Sequence, residues 1–335
     1  MTYPRRFERL VMQTIRTRCP FFAAFFLTAC AGLSSPRVMP AVEPAQGAAH
    51  AKTAQLNELA NLDYGSGTIT VFTIRNGKAI VKASFKPGHG YAQGIAMDRR
   101  SRVYTSMSPP GGNPCAACVG VFTDTGKPVA LLLAPILPGA SGAPSPTDVS
   151  VDVHGNVYVS DYGQQAVYFF SDDERAGGAP TVIVQGSQNA ASVLATPDGA
   201  NVLVSGGCGF ASVRPYTLVT RGHYRQGSCY GIGTIALIGG AVDDALDTLT
   251  PVDGIFGVVS VSSPSGGTLF YTPDQYAGVS GVALNHDASV AYVADATLQV
   301  VYAFARPAQG WLLGGQPELI ATYTGFKNLD IIAVP

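Results

Sequence analysis

Residues 146–161 read Pro146-Thr147-Asp148-Val149-Ser150-Val151-Asp152-Val153-His154-Gly155-Asn156-Val157-Tyr158-Val159-Ser160-Asp161. Two short apolar runs, Val149-Ser150-Val151 and Val157-Tyr158-Val159, flank a polar His154-Gly155 turn, and Asp161 closes the second run. Short runs of β-branched and aromatic residues bounded by Gly, Asp and Asn are what an antiparallel hairpin requires. The layout returns at Val282-Ala283-Leu284-Asn285, the His286-Asp287 turn and Val290-Ala291-Tyr292-Val293. Weaker copies are Ile95-Ala96-Met97-Asp98 before Val103-Tyr104, and Val193-Leu194-Ala195-Thr196 before Val202-Leu203-Val204. Further along each unit, Asp63, Asp161 and Asp295 stand nine positions before Phe72, Phe170 and Phe304.

Each unit therefore reads as an inner strand, a polar turn, a second strand ending near Asp, and an outer hairpin. The inner strands end at Asp98, Asp152, Thr196 and Asn285, at spacings of 54, 44 and 89. The last spacing holds two units. The hidden inner strand is expected near Thr234-Ile235-Ala236-Leu237, with an outer hairpin of Val258-Val259-Ser260-Val261, a Pro264-Ser265-Gly266 turn and Leu269-Phe270-Tyr271. A period of this size with four strands per unit is that of a β-propeller. The chain enters mid-unit near Asp63 and finishes on Asn328-Leu329-Asp330-Ile331-Ile332-Ala333-Val334, an inner strand with nothing after it. The two fragments complete one blade and remove the open edges of the array. The expected fold is all-β: a six-bladed propeller of four-stranded blades over residues 57–335, closed by the C-terminal strand completing the N-terminal blade. A seventh blade would need residues 231–280 to be split in two, and the chain there is too short.

Composition agrees with many short strands and tight turns. Charged residues are 13% of the chain, with 39 Gly and 23 Pro among 335 residues, which is too apolar for disorder. Net charge is near zero with no basic stripe, so nucleic acid is not an expected partner. Nothing in the pattern calls for assembly, and the expected state is a monomer.

The N-terminus carries an address. Residues 1–18 are rich in arginine and precede the apolar run Pro20-Phe21-Phe22-Ala23-Ala24-Phe25-Phe26-Leu27, the layout of an export signal. Met12 offers a second start that would give a more compact signal. The run is shorter than the ~20 residues of a spanning helix. It ends on Leu27-Thr28-Ala29-Cys30, which resembles the bacterial lipobox. That resemblance implies a signal peptide over residues 1–29, lipidation at Cys30, and attachment to a membrane of the cell envelope. Ala31, rather than Asp, after the cysteine favours the outer membrane of a two-membrane host. Residues 31–55 are rich in Ala, Pro and Ser without periodicity, so the stretch 30–56 reads as the lipidated Cys and a flexible tether. The chain from Cys30 onward has a net charge of −5.

The repeat, carried best by residues 146–161, resembles NHL-repeat proteins and, more distantly, gluconolactonase/regucalcin-type propellers. The second resemblance implies a divalent cation in the central channel, held by a Glu with Asn and Asp residues near the inner-strand entrances. At the corresponding places stand Gln93, Thr147-Asp148, Ala191-Ser192, Ser280 and Asn328-Asp330. Thr147 occupies a place where that pattern has Asn, and no Glu lies near the first inner strand. Asp148 and Asp330 remain as candidate metal ligands for a hydrolase or lactonase. No other cofactor is implied.

Two further sets of residues invite a role. Asp63, Asp161 and Asp295 could ligate a metal, but an Asp at a strand end more commonly caps the amides of the following turn. Of the six cysteines, Cys115, Cys118, Cys208 and Cys229 follow the lipobox. In an exported domain they should oxidise, most simply as Cys115–Cys118 and Cys208–Cys229, with the other pairings open. Cys115-Ala116-Ala117-Cys118 shows no helix to activate it as a redox pair, and no second pair gives it zinc spacing. Finally, Tyr64, Tyr91, Tyr162, Tyr230 and Tyr276, with His89, Gln93 and Gln275, map to the loops that enter inner strands and leave second strands. Tyrosine combines large contact area with a polar tip, as interfaces favour. The expected function is a non-catalytic binding module for a protein, peptide or glycan, with the metal-dependent hydrolase as the alternative.

Overall fold

The computed structural model describes residues 56–88, 91–108, 118–140, 142–172, 179–186, 190–205, 211–221, 223–232, 239–252, 257–274 and 276–335. The expected signal peptide, Cys30 and all but the last residue of the tether lie outside these, as do His89, Cys115, Cys208 and Gln275.

Six antiparallel sheets form the blades of a propeller. Blade 1 contains β1 (Glu58–Asp63), β2 (Thr68–Arg75) and β3 (Lys78–Phe85). Blade 2 contains β4 (Tyr91–Met97), β5 (Val103–Ser108), β6 (Cys118–Phe122) and β7 (Pro128–Leu133). Blade 3 contains β8 (Pro146–Val151), β9 (Val157–Asp161), β10 (Ala166–Phe170) and β11 (Thr181–Gln185). Blade 4 contains β12 (Val193–Ala195), β13 (Asn201–Ser205), β14 (Ser212–Thr220) and β15 (His223–Gln226), and β16 (Tyr230–Gly231) adds to β14. Blade 5 contains β17 (Ala241–Val242), β18 (Thr248–Pro251), β19 (Val258–Ser263) and β20 (Gly266–Tyr271). Blade 6 contains β21 (Val279–Leu284), β22 (Val290–Asp295), β23 (Val300–Ala305) and β24 (Glu318–Tyr323).

The ring closes as the sequence implies. The C-terminal β25 (Ile331–Ala333) pairs antiparallel with β1, Leu62 opposite Ile331 and Ala60 opposite Ala333, giving blade 1 the order β25-β1-β2-β3. Asn61 fixes this register from both ends of its amide. Its Nδ2 donates to the Asn328 carbonyl at 2.9 Å, and its Oδ1 accepts the Asp330 N–H at 2.7 Å.

Burial explains why the second and third strands read as continuous apolar runs while the outer strands alternate. Every residue of β9, β10 and β22 is buried, because each face packs against a neighbouring blade. Outer strands such as β3 and β7 have one open side, and Ile80, Val81, Val129, Leu131 and Leu133 are exposed there.

The turn between the inner and second strands is the repeated element that holds the register. Asp98, Asp152, Thr196, Asp243 and Asn285 each accept, on their carbonyl, the N–H of the residue three positions on, at 2.8–3.0 Å. That later residue is left-handed in all five cases: Ser101, Gly155, Gly199, Leu246 and Ala288. The side chains cap the same turns. Asp98 Oδ1 accepts the amides of Arg100 and Arg102, Asp152 those of His154 and Asn156, and Asp243 those of Ala245 and Asp247, each at 2.9 Å.

This turn corrects the placement of blade 5. Its inner strand was expected near Thr234–Leu237, which lies outside the described residues, whereas the pairing with β18 is made by Ala241–Val242. Asp243 is the true repeat residue, 47 positions after Thr196 and 42 before Asn285. It escapes notice because its inner strand is only Ala241–Val242, directly after Gly239-Gly240, so no apolar run marks it. The outer hairpin of this blade, β19 and β20, lies where the sequence places it.

Candidate functional site

The six inner strands β25, β4, β8, β12, β17 and β21 surround the channel. At the end where they run into their turns, the channel narrows to a cavity of about 140 Å³ lined by Val151, Ala195 and Leu284 together with the turn residues Arg99, Asp152, Asn285 and His286. Asp98 and Asp152 there also cap their own turns. The opposite end of the channel is its entrance.

There, most polar side chains are engaged in joining strands. Inner strands bulge between Ala92 and Ile95, between Pro146 and Asp148, and between Val279 and Gly281, which takes backbone amides out of the ladder. Second-strand hydroxyls collect them. Ser106 Oγ accepts the Gly94 N–H at 2.9 Å, and Ser205 Oγ accepts the Ser192 N–H at 2.9 Å. Thr147 Oγ1 pairs with Ser160 Oγ at 3.2 Å, and Ser280 Oγ donates to the Asp330 carbonyl at 2.9 Å. Gln93 is half-buried at the same level.

Asp148 is a strand joint of a more consequential kind. It is buried, and its carboxylate accepts the amides of Val149 at 2.9 Å and of Val193 on blade 4 at 3.2 Å. Gly94 of blade 2 closes over it: a Cβ there would lie 2.3 Å from Asp148 Oδ1. Burial pushes the Asp148 carboxyl up to about 7, against the smaller opposing effect of the two amides. Asp330 has other neighbours. Its Oδ2 accepts the Tyr64 N–H at 3.2 Å, and burial likewise raises its carboxyl. The two candidate ligands thus serve different joints, in blades 3 and 1. Among the described residues, no group of three or more His, Cys, Asp or Glu side chains is gathered as a metal would need.

The raised Asp148 carboxyl has a measurable consequence. The folded state holds this proton more tightly than the unfolded chain does, so the resulting stabilisation is full below the ordinary value of 3.8 and is lost as pH rises through about 7. Thermal unfolding of Asp148→Asn, compared with the parent from pH 4 to pH 8, should show the parent losing roughly 5 °C relative to the variant across that window. Parallel curves would mean that Asp148 titrates normally.

Asp63, Asp161 and Asp295 cap the turns after the second strands. Asp63 Oδ1 accepts the amides of Gly65 and Ser66, and Asp295 Oδ1 those of Gly278, Thr297 and Leu298. Asp161 Oδ1 takes the amides of Ser145 and Gln164. The last turn is further tied by Gln164, whose Oε1 accepts the Leu137 N–H at 2.7 Å and whose Nε2 donates to the Pro135 carbonyl at 2.8 Å.

These capped turns present apolar side chains to solvent. Tyr64 is 52% exposed, Tyr162 51% and Tyr276 69%. Two residues without a polar tip, and therefore without a signal in the sequence pattern, join them: Ile136 at 77% and Leu298 at 48%. Ile136 stands between the two residues clasped by Gln164, beside the Tyr162 turn. Tyr230 does not belong to this face. It is 9% exposed, and its hydroxyl pairs with Thr248 Oγ1 at 2.9 Å, so it is a wedge between blades 4 and 5. The strand pairing of β16 with β14 is what turns it inward. Tyr91 opens β4, and its side chain lies outside the description. Cys229 is disulfide-bonded, and Arg214 Nε donates to its sulfur at 3.2 Å. Its partner, and the side chain of Cys118, are not among the described groups.

Fold and site together define a closed six-bladed β-propeller with strand-joining polar residues at the entrance of its channel and a loop face bearing exposed aromatic side chains. No family model matches the chain, and no curated protein matches it. Solved structures do. A chain of a nidogen/laminin complex superposes with a TM-score of 0.53 at 15% identity, over 83% of this chain and 97% of that one. The periplasmic gluconolactonase of Pseudomonas aeruginosa gives 0.48 at 13%, over 80% and 81%. A catalytically inactive virginiamycin B lyase from Staphylococcus aureus, with quinupristin, gives 0.47 at 11%, over 78% of each chain. The likeness to the nidogen/laminin chain is one of fold.

Proposed function

We propose that this chain is a lipid-anchored protein of the cell envelope whose propeller binds a protein or peptide through the loop face bearing Tyr64, Ile136, Tyr162 and Tyr276. The observation that carries the reading is the exposure of these side chains on turns that are themselves fixed. Asp63 and Asp161 cap two of the turns, and Gln164 pins the loop beside them. Apolar groups held rigid in water cost solvation in the free protein and little entropy on docking, which favours a binding surface.

The anchor part of the reading rests on Leu27-Thr28-Ala29-Cys30. Two or more acyl chains on Cys30 would make attachment stable, since one chain binds only marginally. Growth with labelled palmitate should label the parent chain and leave Cys30→Ser unlabelled and soluble; label retained in that variant would remove the anchor from the proposal.

The binding part is tested with the mature propeller as bait in envelope extracts, using cross-linking and identification of the captured protein. Each buried interfacial tyrosine contributes on the order of 1–2 kcal/mol. The triple variant Tyr64→Ala, Tyr162→Ala, Tyr276→Ala should therefore weaken the identified partner at least ~100-fold while keeping the parent's thermal transition. Undiminished affinity in a folded triple variant would exclude this face.

A further inference from the structure

A separate cleft of about 260 Å³ opens between blades 3 and 4 on the turn face, at the opposite end of the blades from Tyr64 and Tyr162. We infer that this cleft is a saccharide site that takes one uncharged sugar ring. The inference is independent of the protein-binding reading of the loop face.

The cleft has an apolar floor and a polar rim. Half-buried Tyr224 and exposed Leu218 supply its accessible apolar surface, over the buried Phe169 and Tyr158, whose ring centroids lie 5.4 Å apart. The rim carries Asn156, His154, Asp198 and Arg221. His154, Asp198 and Arg221 are planar groups with adjacent donors or acceptors, the geometry that engages neighbouring hydroxyls of a sugar. Asn156 donates Nδ2 to Asp152 Oδ2 at 2.8 Å and accepts the Asp172 N–H on Oδ1 at 3.4 Å. Asp198 shares the rim with Arg221, and the second carboxylate, Asp152, accepts hydrogen bonds from Asn156, the Tyr158 hydroxyl and backbone amides, so an uncharged occupant suits the cleft. The C–H faces of a pyranose suit the aromatic and aliphatic floor. The volume falls just under the ~300 Å³ at which pockets for larger ligands begin, which restricts the occupant to a single ring.

The polar groups are built in rather than incidental. Tyr224 donates to the Tyr158 hydroxyl at 3.4 Å, and Tyr158 donates to Asp152 Oδ2 at 3.0 Å. Both phenol protons are thereby directed inward, and the Tyr224 oxygen keeps lone pairs to accept a sugar hydroxyl. Burial raises both phenols, so neither ionises near neutral pH. Asp198 is oriented by the Thr196 hydroxyl at 2.6 Å and the Ala200 amide at 2.9 Å, both on Oδ1. Gly199 shapes the end of the cleft. Its φ is +70°, and a Cβ there would lie 2.4 Å from Asp152 Oδ2 and 3.2 Å from the Tyr158 hydroxyl. Only glycine lets the blade 4 turn close over the buried Asp152–Tyr158 pair.

Saturation-transfer NMR on the mature chain with glucose, galactose and N-acetylglucosamine, each at millimolar concentration, tests the site. Transfer to the ring protons of at least one sugar is expected. Leu218→Trp, a substitution at an exposed wall, should fill the cleft and abolish it. Tyr224→Phe should weaken binding roughly tenfold by removing one acceptor. Tyr162→Ala, on the other face, should leave it unchanged. The inference is overturned if no sugar shows transfer to the parent chain, if transfer survives Leu218→Trp, or if it is lost in Tyr162→Ala. That last result would move the sugar to the loop face.

Discussion

Deletion of residues 326–335 is expected to abolish the cooperative unfolding transition altogether. The segment holds Phe326, Leu329, Ile331, Ile332, Ala333 and Val334, each less than a tenth exposed. Burying a large aliphatic or aromatic side chain contributes ~1.5–3 kcal/mol, so the segment accounts for about 10 kcal/mol. That is comparable with the whole stability of a typical domain, ~5–15 kcal/mol. The loss is not confined to side chains. Removing β25 leaves β1 paired only with β2, strips Asn61 of both its partners, and opens the ring at blade 1. Calorimetry of the truncated chain should show no sharp transition. A transition retained within a few degrees of the parent would mean that blade 1 is stable without its inner strand.

The second large effect is expected from Gly94→Ala. The added methyl would lie 2.3 Å from Asp148 Oδ1, 2.8 Å from Asp148 Cα and 3.1 Å from the Val149 nitrogen. A side-chain oxygen can swing aside, but the other two atoms are backbone of the adjacent inner strand, so blades 2 and 3 must separate. Overpacking of this kind costs ~1–3 kcal/mol or more, and the backbone contacts place this case at ~3 kcal/mol, or roughly 6–10 °C in Tm. Adding Asp148→Ala should recover part of the loss, because it removes one clash of the three. A single variant within about 2 °C of the parent would show that the inner strands yield more readily than their spacing implies.

These two effects mark different degrees of legibility. The closure was readable from Asn328–Val334, because an apolar strand with no partner of its own at one end of the chain must complete the fragment at the other. Gly94 was not readable. A glycine in a strand marks a bulge or a close approach, but only the neighbouring blade says which atom approaches. The Asp at second-strand ends was legible as a cap, since a carboxylate two or three residues before free amides satisfies them locally. Asp148 and Asp330 were legible as polar residues at channel entrances, yet their partners Val193 and Tyr64 lie far along the chain, and those partners decide their role.

The exposed face divides in the same way. Tyr64, Tyr162 and Tyr276 follow from the position of the turns. Tyr230 was misplaced because β16 rejoins blade 4 and turns the ring between blades, a pairing with no local signature. Ile136 and Leu298 carry nothing to distinguish them from core residues until their surroundings are known.

By itself the sequence determined what is periodic or contiguous: the blade count, the closing strand and the capped turns. Periodicity survives because every blade meets the same packing on both faces, and so imposes the same pattern on its strands. Only the tertiary structure decided what lies between blades: the Asp148–Gly94 joint, the buried Tyr230, and the cleft closed by Gly199. Each of those is set by atoms from different repeats meeting across a blade boundary, and spacing along one chain does not encode that meeting.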